Sequence, residues 1–291
     1  MASIPSVSDV LLAVVDALYI YPVKACAGVR VPWLEFSPQG LIEGDREWVV
    51  VNADAEVVWQ GSHPRLALVQ PRLAPGLLHL DGPAGHALTL PDPPTGPACQ
   101  IKIWDGTLQR NQVFDGTDAG DIASKWLQQA TGADLRLVRL SGADWARATV
   151  NHCHIASASS LAELNAVQAQ QGTVAAEMQR FRPNIVIASA PSSASTLDPF
   201  VEEYCTHLRW QDAGRLAQMA VQAEPCIRCI VPNVDPRTAT VSDQPLATVS
   251  RLSAERHPGK PVYFGIYANA QQAATLHEGT QLELELNFAN F

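Results

Sequence analysis

Residues Glu224–Pro236 read EPCIRCIVPNVDP. Two cysteines stand three residues apart, and Pro232 and Pro236 follow. A thioredoxin-like dithiol opens a helix, which lowers the pKa of its thiol. Here the chain continues into prolines that no helix interior accepts, so the segment is a loop. Before it, LRWQDAGRLAQMAVQ alternates apolar and polar residues about Asp212-Ala213-Gly214, the pattern of a hairpin. After it, QPLATVSRLSAERH has helical spacing, and PVYFGIYANA and TQLELELNF read as strands.

The same pattern extends toward the N-terminus. ALYIYPVKA, VRVPWLEFS, REWVVVN and AEVVWQG are short β-type runs, with NADAE as a turn between two of them. Between Ala74 and Gly96 five prolines predict loops and edge strands. TDAGDIASKWLQQATG predicts a helix capped by Thr117 and ended at Gly132. TVNHCHIAS and PNIVIAS read as buried strands, and between them SSLAELNAVQAQQ has capping-box spacing at Ser160 and Glu163. Many strands and few helices predict a β-rich α+β protein, barrel-like, in two parts without an obvious linker.

Composition narrows the function. The chain has 291 residues, 47% hydrophobic and 17% charged, with a formal net charge of −9. That charge disfavours nucleic acid or an anionic membrane as partner. No apolar run reaches the roughly 20 residues of a membrane helix. VLLAVVDALYIYPVK is broken by Asp16 and lacks a preceding basic region, so a cytoplasmic protein without a signal peptide is expected. Six cysteines in such a chain point to thiols, metal ligands or catalysis before disulfides. Phosphate-loop, dinucleotide, zinc-protease and serine-hydrolase motifs are absent.

The cysteine pair alone leaves several readings open. Cys226 and Cys229 could join His152 and His154, which share a strand face, around zinc. They could equally be two half-buried thiols. Arg228 between them, which would lower a thiol pKa, and Asp235 beyond them equip the loop to hold a charged metal complex. Lys24 follows a strand, Arg46 stands at the mouth of a hairpin, and Arg182 precedes a strand, held out of helix by Pro183. Each alone could be a solvated cation; with Arg228 they form a candidate anion clamp.

YPVKACAGV, GLIEGDREWVVV, SSLAELN, FRPNIVI and CIRCIVPNVDP, in this order, resemble the MOSC superfamily, above all its two-part members, the mitochondrial amidoxime-reducing component and its bacterial relatives. The resemblance implies a MOSC N-terminal β-barrel-like domain over 14–135 and a MOSC β-barrel domain over 145–288, with a few packed helices. It implies a molybdenum pyranopterin cofactor ligated by Cys229. Lys24, Arg46, Asn151, Arg182, Asn184 and Arg228 match cofactor-holding positions, and Asp235 matches a carboxylate near the metal, assigned with Cys229 to catalysis. Cys226 then becomes a structural neighbour.

The implied activity is reduction of N-hydroxylated compounds such as amidoximes, hydroxylamines or base analogues. Some bacterial relatives carry a ferredoxin domain with its own cysteine cluster, which this sequence lacks. The expectation is therefore no iron–sulfur cluster on this chain and a separate electron donor: a ferredoxin-like protein, a flavoprotein or a b-type cytochrome. Because the superfamily includes molybdenum cofactor sulfurases, the alternative is a sulfur or cofactor carrier using Cys229. Departures from the family pattern fall at Ala25, often Ser in relatives, at Trp59–His63, which lacks a basic residue, and at Pro232 and Asn233, threonines in some relatives.

Overall fold

The computed structural model describes residues 9–106, 108–147, 153–191 and 196–288. In the first half, β1 (Asp9–Ile20), β2 (Val29–Val31), β3 (Trp33–Phe36) and β4 (Trp48–Val51) precede a meander, β5 (Gln70–Ala74), β6 (Leu77–Asp81) and β7 (Ala87–Pro91). Then come β8 (Ala98–Asp105), β9 (Arg110–Asp118), α1 (Asp121–Thr131) and β10 (Arg136–Leu140). The second half holds α2 (Gly142–Arg147), β11 (Cys153–Ser157), α3 (Ala158–Gln170), β12 (Ile185–Ser189) and the hairpin of β13 (Cys205–Asp212) and β14 (Arg215–Val221). It ends with α4 (Leu246–Arg256), β15 (Ile266–Ala270), β16 (Ala274–His277) and β17 (Gln281–Leu286). The protein is a strand-rich α+β fold, as its sequence predicts.

Seven strands close a barrel in the order β12-β11-β15-β14-β13-β17-β1, with β1 pairing back onto β12. All neighbours are antiparallel except β11 and β12, which need a crossover that α3 supplies. The first strand is thus a stave of the barrel otherwise built by the second half. A bulge between Val15 and Ala17 shifts its register against β12. Ala13, Val15 and Leu18 point into the barrel, while Ala17, Tyr19 and Tyr21 pack outside it with Leu164, Phe181, Val249 and Phe264. One extra residue resets the alternation.

The other lobe has a four-stranded sheet, β4-β10-β9-β8, and the meander. β4 is buried on both faces: Trp48 and Val50 meet Leu66, Leu78, Leu80 and Trp126, whereas Val49 and Val51 meet Ile101, Phe114, Val138 and Trp145. Residues 21–26 strap the lobes together. Tyr21 belongs to the barrel's outer cluster, and Val23, Ala25 and Cys26 lie in the core of the first lobe.

Two helix starts differ from the sequence expectation. Thr117 does not cap α1; it pairs with Ala98 and Arg139 inside the sheet, and the helix begins after Gly120. A central strand's ladder bonds outweigh a local cap. Ser157, not Ser160, caps α3, its Oγ accepting from Ser159 N at 3.2 Å. Ser160 donates instead to buried Glu202 at 2.8 Å. The hairpin turn has Ala213 and Gly214 at φ 47° and 79°, which suits tightly twisted strands. Among the described residues no helix is long and apolar enough to cross a membrane.

Candidate functional site

Four segments converge where the strap leaves β1. Lys24 stands in the strap, its backbone N–H donating to Trp48 O at 2.8 Å. The next residue, Ala25, takes φ 69°, and Gln60 Nε2 donates to its carbonyl at 2.7 Å. Arg46, at φ 53°, donates its backbone N–H to Tyr21 O at 2.8 Å. Arg182, at φ 58°, follows the short 3-10 turn Met178–Arg180. Left-handed backbone at non-glycine residues is strained and persists where the surroundings enforce it; here it recurs at two of the four cations.

Tyr21 and Asp45 organise these cations, and sequence reading missed both. The Tyr21 ring meets two guanidinium groups, with its centroid 4.2 Å from Arg182 Cζ and 4.9 Å from Arg46 Cζ, and its hydroxyl donates to Pro183 O at 3.0 Å. Burial pushes the Tyr21 pKa up against the pull of both arginines. Asp45, 2% exposed, accepts from Tyr21 N at 2.7 Å and Asn184 Nδ2 at 3.1 Å on one oxygen and pairs with Arg46 on the other. The only sequence hints are the aromatic before Pro22 and the acid before Arg46.

Asn184 is fully buried, and all its hydrogen-bonding capacity is engaged within the protein. Oδ1 accepts from Arg46 Nη1 at 3.1 Å and His154 N at 3.2 Å; Nδ2 donates to Tyr19 O and Asp45 Oδ1, both at 3.1 Å. It is a junction that orients Arg46.

Arg182 Nη1 donates to Cys26 O at 2.5 Å, and burial, with Arg46 adding to it, lowers its pKa to about 10. Lys24 is partly exposed but set deep among cations. Burial first, then Arg182 and Arg46, pull its pKa down to about 8, with Cys229 working the other way.

Arg228 donates to Cys226 Sγ and to Phe181 O, each at 2.9 Å. Burial works against its charge, yet Cys226, Tyr267 and Cys229 hold its pKa above the usual value. Its Nε is buried and has no hydrogen-bond partner among the described residues. Cys226 is buried, whereas Cys229 is exposed and flanked by the exposed side chains of Ile227 and Ile230.

Asp235 is engaged by its own turn and by Arg180. Its Oδ1 caps a turn by accepting from Arg237 N at 2.9 Å and Thr238 N at 3.0 Å, and its Oδ2 accepts from Arg180 Nη2 at 2.5 Å. Burial would raise its pKa, but the turn amides and Arg180 hold it below the usual carboxylate value.

Asn151 and His152 lie outside the described residues. His154 Nε2 faces Phe264 O at 3.2 Å, and burial followed by Arg228 lowers its pKa to about 3, so it is neutral. Among the described residues no three His, Cys, Asp or Glu side chains gather as a metal-binding group.

The structure therefore brings together Lys24, Arg46, Arg182, Arg228 and Cys229. Among the described residues, Asp45 is the carboxylate acting on Arg46 and Arg182. Two of the four cations share this carboxylate, and Lys24 and Arg228 have no carboxylate acting on them among the described residues; the surplus positive charge calls for an anion, and the Arg228 Nε for an acceptor. Beside them a cleft of about 240 Å³, lined among others by Gly28, Gln60, Arg180, Arg182 and Arg237, runs between the lobes. A pyranopterin with its phosphate and a thiolate-bound metal fits this donor set: Arg forks and a Lys for the phosphate, a soft sulfur for the metal.

A barrel sharing its first strand with a neighbouring β-lobe, and a thiol set beside four cations, define a two-lobed, strand-rich protein with a candidate anion site. The chain belongs to the MOSC family: residues 12–134 match the MOSC N-terminal beta barrel domain and residues 145–283 the MOSC domain. It is similar to mitochondrial amidoxime reducing component 2 of Bos taurus (28% identical, 91% of this chain, 81% of the relative) and to mitochondrial amidoxime-reducing component 1 of Homo sapiens (28%, 93% and 82%). It is also similar to molybdenum cofactor sulfurase of Drosophila grimshawi (31%, 86% of this chain), of whose length it spans 31%.

Proposed function

We propose that this protein is a molybdenum cofactor-dependent reductase that removes the oxygen of N-hydroxylated compounds, converting amidoximes, hydroxylamines or N-hydroxylated base analogues to amidines or amines. The observation that carries the reading is the surplus of buried positive charge beside an exposed cysteine. Cys229 would ligate the metal. Lys24, Arg182 and Arg228 would hold the phosphate and pterin, and Arg46, fixed by Asp45 and Asn184, would add its charge. Bound there, the cofactor supplies the two-electron redox centre. The exposed Ile227 and Ile230 offer the substrate an apolar approach to Cys229. Two electrons from a separate donor protein and two protons balance the loss of one water.

The sulfurase relatives and the exposure of Cys229 favour a second reading, in which this thiol carries transferable sulfur or cofactor. Metal analysis of protein made in a host that synthesises the pterin separates the two, combined with benzamidoxime reduction by reduced methyl viologen. Molybdenum near one per chain with turnover supports the reductase. Cyanide-labile sulfur on Cys229 without turnover supports the carrier and overturns the reductase.

A further inference from the structure

The loop bearing Cys229 is gripped on both sides by consecutive residues of a single segment. On the near side, Arg228 Nη2 reaches Phe181 O at 2.9 Å. On the far side, Arg180 Nη1 reaches Pro232 O at 3.2 Å, and its Nη2 reaches Asp235 at 2.5 Å. The anchors are thus one residue before, and three and six residues after, Cys229, and they meet residues 181 and 180. A more exposed pair, Arg237 with Glu177 at 2.6 Å, runs between the same two segments.

The far side is itself a stiff unit. Asp235 caps its own turn, Val234 bridges to Val241, and buried Asn233 accepts from Leu246 N at 2.8 Å at the start of α4. Two residues beyond Arg180 stands Arg182, one of the clamp cations.

From this geometry we infer that Arg180 is a positioning residue: through Pro232 O and Asp235 it fixes the Cys229 loop at a set distance from Arg182. Asp235 is the anchor of that bracket and takes no direct part at the metal. The inference rests on the reading of Cys229 as the metal ligand. It assigns to Arg180 and Asp235 the kind of outer support whose loss costs other metal sites about 10–100-fold in metal affinity or activity.

The test compares Arg180→Gln, Arg180→Lys, Asp235→Asn and the double variant Arg180→Gln/Asp235→Asn. Arg72→Gln serves as control, since it breaks an exposed ion pair with Asp81 within the meander. Molybdenum per chain and kcat for benzamidoxime are measured alongside melting temperature. The bracket predicts that Arg180→Gln loses about tenfold or more in kcat or molybdenum occupancy, that Arg180→Lys partly rescues it, and that the double variant is no worse than either single change. If Asp235→Asn abolishes turnover while Arg180→Gln stays within twofold of the parent, Asp235 acts directly and the inference falls.

A second readout needs no cofactor. Amide hydrogen exchange of the 226–236 peptide in cofactor-free protein should quicken in Arg180→Gln and not in Arg72→Gln. Unchanged exchange overturns the bracket even if the reductase reading stands. Quickened exchange in a protein that takes up no molybdenum supports the bracket and sinks that reading alone.

Discussion

Arg182 stacks on Tyr21, its guanidinium carbon 4.2 Å from the ring centroid, while its Nη1 donates to Cys26 O. The ring's other guanidinium neighbour is Arg46. One aromatic side chain therefore receives two positive groups that repel one another, and each cation–π contact stabilises its charge by about 0.5–2 kcal/mol.

Tyr21→Phe keeps the ring and removes the hydrogen bond to Pro183 O, so a stability loss of about 1 kcal/mol is expected in urea titration. Tyr21→Leu removes the ring as well. It should lose several-fold in molybdenum retained after gel filtration, where the phenylalanine variant retains its metal.

Asp45→Asn takes away the charge facing buried Arg46. Breaking a buried pair by removing one partner costs about 3–5 kcal/mol. A bound anion would offset part of that loss, so the fall in melting temperature should be larger for cofactor-free than for loaded protein. Equal falls in both states would show that Arg46 does not feel the ligand.

Glu202 gives a pH signature. Burial first, and then Glu203, raise its pKa from 4.5 to about 7 against the hydrogen bond from Ser160. The folded state thus holds this proton more tightly than the unfolded chain. Stability contributed by the group is full below about pH 4.5 and declines as pH rises to about 7, by a few kcal/mol at most. Glu202→Gln should flatten the stability–pH curve over that window in parallel denaturant titrations, and an unchanged slope would count against the assignment.

Gly265 sits at φ 75°, where an added Cβ would lie 2.4 Å from Ile155 O and 2.6 Å from His154 Nε2. Its carbonyl accepts from Cys226 N at 2.9 Å. Gly265→Ala combines backbone strain with overpacking, about 2–5 kcal/mol together. A melting temperature lowered by several degrees should be accompanied by weaker molybdenum retention, because the Cys226 backbone is tied to the same carbonyl.

Cys229→Ser should fold with an unchanged melting temperature when cofactor-free, since the thiol is exposed, yet purify with little or no molybdenum. Retention of a full complement would remove Cys229 as the metal's sulfur ligand.

Lys24, Arg46, Arg182, Arg228 and Cys229 were legible because each stands at a segment end punctuated by Pro, Gly or another Cys, and cations there are few in an acidic chain. The 212–214 turn was legible because an Ala-Gly pair between alternating runs has few other uses. Asp45 and Tyr21 were not, because a carboxylate or ring in mid-sequence carries no mark of which distant cation it will meet. Asn184 and Asp235 were read as site residues from their motifs; that Asn184 would tie Arg46 to Asp45, and that Asp235 would pair with Arg180, are tertiary partnerships no motif shows. Thr117 and Ser160 had cap-like spacing, and the strand ladder and buried Glu202 claimed them.

Asp9 faces Leu286 across the seam between β1 and β17. During synthesis β1 can meet β2 at once and β12 later along one edge, but its other edge has no partner until Gln281–Leu286 has been made. The lobe built around β4 and α1 can collapse in the meantime, since its partners are close in sequence, so local contacts form first and the seam closes last. Until then the unpaired edge of β1 is open to other nascent chains, and the strap that carries Lys24 hangs from it. The strap settles beside Cys229 once β1 is seated, so an anion held there would be taken up late in folding.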